Sequence, residues 1–158
     1  MPEAVIEAII AALRDAGLNV TAAFPDGAAP GSAGALVCVG MDSCQVSSSG
    51  CGEYLGTETG GSAAELYGYR AEVTAALDVY APTAAECAGA GDGICAALGK
   101  LPSGLKMRAF SCAGTEFDEL TGAFRRRCAL KCLAYLTRSA DAETGEFTDF
   151  ILRGAVKG

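Results

Sequence analysis

The chain contains no histidine and no tryptophan. Without an imidazole, the Ser/His and Cys/His pairs that activate a nucleophile are excluded, as is any zinc site mixing cysteine with histidine. No CxxC pair occurs either, which removes the usual all-cysteine metal spacing. Bases are scarce at the front: Met1 to Tyr69 holds eight acids and one base, Arg14, whereas Arg70 to Gly158 holds eleven of each. The formal charge of −7 therefore resides in the N-terminal part. A chain of that sign repels phosphate backbones, so specific nucleic-acid binding is not expected. Long apolar runs are missing as well. None approaches the roughly 18 residues of a membrane span, and Met1 to Asp15 mixes charges among its apolar positions, so the chain reads as soluble, with no signal peptide and no membrane contact.

What is present is a length of 158 residues, 51% of them hydrophobic, enough for one ordinary domain with a core of its own. Eight cysteines are spread along it: Cys38, Cys44, Cys51, Cys87, Cys95, Cys112, Cys128 and Cys132. In a chain without an export signal they are expected to stay reduced and to pack as small hydrophobes. The glycines of AGAGDGICAALG fit neither GxGxxG nor GxxxxGK[ST], and they fall inside a predicted helix rather than before one. The acids Asp118-Glu119 and Glu143 and Glu146 lie in polar loops, where carboxylates are ordinarily solvated. No catalytic, cofactor-binding or metal-binding residue is assigned, and the chain is not expected to be an enzyme.

PEAVIEAIIAALRDAG predicts an amphipathic helix with Val5, Ile6, Ile9, Ile10 and Leu13 on one stripe and Gly17 as the left-handed stop. LNVTAAF follows as a strand closed by Pro25-Asp26-Gly27, and ALVCVGM as a second, largely buried strand. Residues 42–66, DSCQVSSSGCGEYLGTETGGSAAEL, show no period and read as a long Ser/Gly-rich loop, with a short strand near Cys44 to Val46 left open. In YGYRAEVTAALDVYAP, Tyr67, Tyr69, Ala71, Val73, Ala75, Leu77 and Val79 alternate with more polar residues, the pattern of a half-buried strand. Pro82 ends it, and Thr83 to Glu86 offers a capping box for a helix reaching Leu98-Gly99, whose glycines would let it lie close to a sheet. LKMRAFSC is read as a further strand.

FRRRCALKCLAYLTR decides between helix and strand on charge. As a helix it would scatter Arg125, Arg126, Arg127 and Lys131 around its first turns, where the dipole disfavours cations. As a strand it places Cys128, Leu130, Cys132, Ala134 and Leu136 on one face and Arg125, Arg127 and Lys131 in line on the other. The strand is the better reading. The basic stripe Arg125, Arg127, Lys131 then either pairs with acids on a neighbouring strand, such as Glu72 and Asp78, or forms a subunit or partner interface. After the polar turn SADAETGE, FTDFILRGAVKG closes the chain as a strand hairpinned to its predecessor, with a helix left open.

This order of elements resembles the tail terminator, or tail completion, proteins of long-tailed bacteriophages and prophages. The likeness is carried by VIEAIIAALRDAGLNV leading into a strand, by YGYRAEVTAALDVYAP entering a helix, and by the closing pair FRRRCALKCLAYLTR and GEFTDFILRG. The resemblance implies one α+β domain over residues 1–158: a mixed, mostly antiparallel sheet of about five to six strands with two helices packed on it. It also implies a virion structural protein that assembles with copies of itself into a ring, commonly a hexamer. That ring would cap the tail tube protein and meet the head connector protein, with assembly in the host bacterial cytoplasm and a final place in the virion tail. Two other readings stand beside it: another head-tail connector component, and a small cytosolic ligand-binding domain whose 42–66 loop closes over a ligand through Tyr54 and Tyr67.

Overall fold

The computed structural model describes residues 2–22, 34–48, 54–60, 62–102, 104–140 and 147–152. Its first helix, α1 (Pro2–Asp15), buries Val5, Ile9 and Leu13 almost completely, the stripe that the spacing predicts. It stops where Gly17, at φ +85°, donates to the Arg14 carbonyl at 2.8 Å and Leu18 to the Leu13 carbonyl at 3.1 Å, a paired left-handed cap that satisfies the last carbonyls. The Arg14 guanidinium reaches on to the Val20 carbonyl at 3.0 Å and ties the helix end to β1 (Val20–Ala22). The Pro25-Asp26-Gly27 turn lies outside the described residues.

β1 pairs in parallel with β2 (Leu36–Ser48), and every other strand pairing is antiparallel. The remaining elements are β3 (Tyr54–Gly60), β4 (Ser62–Ala81), α2 (Ala84–Leu98), β5 (Leu105–Asp118), β6 (Ala123–Ala140) and β7 (Phe147–Leu152). They form one sheet of seven strands ordered β1-β2-β4-β6-β5, with β3 beside β4 and β7 beside β6. The class is the expected one, α+β with a mixed, mostly antiparallel sheet and two helices. The strand number exceeds five to six because two short strands extend it at one end.

One of those extensions corrects the reading of residues 42–66 as a loop. β2 runs on to Ser48, paired with Tyr69, and β3 takes up β4 from Tyr67 onward, so most of the segment is strand. Its serines and glycines give it no alternating apolar pattern and little strand preference of their own, but β4 supplies the hydrogen-bonding partner. Tyr54 and Tyr67 are register partners in that ladder. Residues 147–152 of the C-terminal segment form a strand, with Leu152 opposite Leu136, and residues 153–158 lie outside the described residues.

Both helices cover the same face of the sheet, α1 over β1 and β2, and α2 over β4, β5 and β6. Thr83 caps α2: its hydroxyl accepts from the Glu86 N–H at 3.2 Å and donates to the Glu86 carboxylate at 3.0 Å. The helix lies close to the sheet at Gly91, where a Cβ would sit 2.7 Å from Nη1 of Arg126. Ala71, Val73, Ala75, Leu77 and Val79 of β4 fill the space beneath, none more than 2% exposed. β4 is 20 residues long and α2 only 15. At about 3.3 Å per strand residue and about 1.5 Å per helical residue, the sheet runs far beyond the layer that covers it.

The cysteine expectation needs one correction. Cys112 of β5 and Cys128 of β6 are register partners with Cα atoms 4.1 Å apart, and they are joined as a disulfide. Directly opposed residues of an antiparallel pair approach this closely where they exchange no ladder hydrogen bonds. Cys38, Cys44, Cys87, Cys95 and Cys132 are free.

Candidate subunit interface

Arg125, Arg127 and Lys131 alternate along β6 with buried Cys128, Leu130 and Cys132, so all three stand on the face that the helices leave bare. Rows across the sheet follow from the register. Arg125 lies between Tyr80 of β4 and Glu116 of β5, Ala129 between Ala76 and Ser111, and Lys131 between Thr74 and Ala109. The centre of this bare face is built of small side chains, extended on β2 by Gly40 beside Ala76. Its two ends carry the charge.

The stripe divides into paired and unpaired members. Arg125 Nη2 donates to Asp78 Oδ2 at 2.9 Å, with both side chains about a quarter exposed, and its guanidinium carbon stands 5.7 Å from the Tyr80 ring centre. Arg127 pairs with Glu116 at 2.9 Å, both more than half exposed. Glu72, the other acid considered for the stripe, pairs instead with Arg70 at 2.7 Å. Lys131 has no ion-pair partner among the described residues.

The Asp78–Arg125 pair shapes the electrostatics around it. Burial works to lower the Arg125 pKa, but the hydrogen bond and charge of Asp78 outweigh it, and the net direction is upward. Cys38, two positions from Leu36 on the same bare face, is pushed up to about 11, first by burial and then by the Asp78 carboxylate. A thiol held protonated in this way is a packing group rather than a nucleophile. Burial also raises Tyr80. Nε of Arg125 and Nε of Arg70 are enclosed without a hydrogen-bond partner, so both guanidiniums are held by one end only.

Sequence reasoning missed two further surfaces. The first is the β5–β6 turn, where the Asp118 carboxylate accepts from the Leu120 N–H and the Thr121 hydroxyl, and Leu120 is left 98% exposed. The second is the pair of outer edges of the sheet, on β2 and β5, whose exposed side chains include Met41, Val46 and Met107. Both depend on strand register, which no local pattern reveals. Among the described residues no group of three or more Cys, Asp or Glu is placed to hold a metal ion, and no helix is long and apolar enough to cross a membrane. The chain matches no family model and no curated protein.

Proposed function

We propose that the protein is a structural ring subunit of the tail terminator type, one that caps a phage tail tube and offers its far side to the head connector. The observation that carries this reading is the one-sided cover of the sheet: two helices on one face, a bare face of small residues bounded by ion pairs, and strands that outrun the helices. Such a subunit leaves sheet surface and sheet ends available to neighbours, which suits a part built to be enclosed by an assembly. The ring forms in the bacterial cytoplasm and ends in the virion tail.

The test is polymerisation of tail tube protein in the presence of the purified chain, with tube length and end structure measured by negative-stain electron microscopy. Capping gives shorter tubes that carry density at one end. Tubes of unchanged length with bare ends overturn the reading.

A further inference from the structure

The two outer edges of the sheet match each other. On one side, β1 pairs only with Val37 to Val39, so β2 from Gly40 onward has no partner strand on that edge among the described residues. That stretch carries exposed Met41, exposed Asp42 and half-exposed Val46. On the other side, the outer edge of β5 has no partner strand among the described residues, and after buried Leu105 it carries exposed Lys106, Met107 and Arg108. One edge is apolar and acidic, and the other is apolar and basic.

Each edge also breaks register at its charge. The β2–β4 pairing shifts between Met41 and Ser43, leaving Asp42 as the extra residue, and the β5–β6 pairing shifts between Met107 and Ala109, leaving Arg108. Neither Asp42 nor Arg108 has an ion-pair partner among the described residues. Asp42 falls between the Ala75 and Thr74 positions of β4, and Arg108 between the Cys132 and Lys131 positions of β6. Because Thr74 is the partner of Lys131, the two bulges stand about one strand residue apart in height, about 3.3 Å. A bulge interrupts the ladder and bars simple addition of another strand, so a neighbour at either edge must be met by side chains.

We propose that copies of this chain join head to tail through these edges, Asp42 of one subunit against Arg108 of the next, with Met41 and Val46 against Met107. The inference rests on the ring reading above and names the surfaces that would build it. The two surfaces differ, so the contact is heterologous. They lie at nearly one level, so each added subunit rotates with little rise, the condition for closing a ring rather than winding a filament. The acidic excess of residues 1–69 and the surplus cations Lys106 and Lys131 give the contact its sign and make it sensitive to salt.

The experiment is sedimentation velocity on the full chain at low salt, with circular dichroism to check folding. Asp42→Arg and Arg108→Asp each weaken self-association by about tenfold or more, because each sets like charges against each other. An equimolar mixture of the two variants, and the double reversal on one chain, restore association. Met107→Ala weakens it without any charge change. If the wild-type chain assembles and caps tubes but neither reversal changes its assembly, the ring reading survives and these edges are not its interface. If both reversals weaken assembly and neither the mixture nor the double reversal restores it, the Asp42–Arg108 pairing is wrong. A wild-type chain that stays monomeric at high concentration and on tail tubes removes both.

Discussion

The two faces of β6 share one backbone and behave as different materials. Toward the helices, Cys128, Leu130, Cys132, Ala134 and Leu136 are at most 4% exposed. Away from them, Arg127 and Lys131 reach solvent and Arg125 is held by Asp78 across the strand pair. The first face is ordered by removal of apolar surface from water, a non-directional term, and the second by individual cross-strand contacts that depend on register. The division is not complete. Leu133 belongs to the bare face, between Glu72 and Lys106 in register, yet it is only 2% exposed. Long charged side chains cover apolar surface with their stems, which lets a bare sheet face bury an isolated leucine.

The sharpest way to break this comparison is Leu130→Asp. A carboxylate without a partner at a fully buried position costs several kcal/mol, comparable to the stability of a whole domain, so circular dichroism should show no folded protein. Leu133→Ala asks how far burial on the bare face resembles core. A cost of about 2 kcal/mol or more in urea titration places it with the core residues, and a cost near zero marks it as surface.

Alkaline titration touches both faces, since Cys38 lies on the bare side and Cys132 under the helices, and burial raises each to about 11. A folded-state pKa above the unfolded value means that the stabilisation is complete below the ordinary thiol range and is lost as pH rises toward 11. The loss is on the order of 2 kcal/mol for each thiol at the top of that window. Thermal melts from pH 8 to 11 should fall, and Cys38→Ala and Cys132→Ala should each flatten the fall. The ion pairs come last. Asp78→Asn should cost about 1 kcal/mol, because its pair with Arg125 is partly buried, and Arg127→Ala no more than about 0.5 kcal/mol, because its pair with Glu116 is exposed. The reverse order in chemical melts would mean that Asp78 does not anchor the stripe.

What could be read from the sequence was whatever repeats within one element. The stripe of α1, the Thr83 cap and the alternation of β4 and β6 each follow from residues a few positions apart. The strand character of residues 42–48 and 54–60 could not be read that way, because it comes from β4 rather than from their own composition. The basic stripe was legible as a line of charge, and Asp78 as a partner, but Glu116 was not. The register shift between Cys112 and Thr115 moves the end of β5 relative to β6, and that shift decides which acid faces Arg127. The same difficulty hid the Cys112–Cys128 bridge and the charges at Asp42 and Arg108, since bulges leave little trace in a hydrophobic pattern.

The central seam between β4 and β6 has a kinetic consequence. β5 and β6 are joined by a short turn, and β3 and β4 by a single residue, so each of these pairs closes over little chain. The seam instead pairs Tyr67 with Arg138 and Ala81 with Phe124, partners far apart in sequence, with α2 and β5 intervening. Two hairpins therefore form early on local contacts, and folding waits on the encounter that zips them together, a step slowed by the entropy of closing a long loop. Until that encounter, the inner edges of β4 and β6 both lie open, and on a crowded ribosome the half-formed sheet of one chain can capture the waiting strand of another.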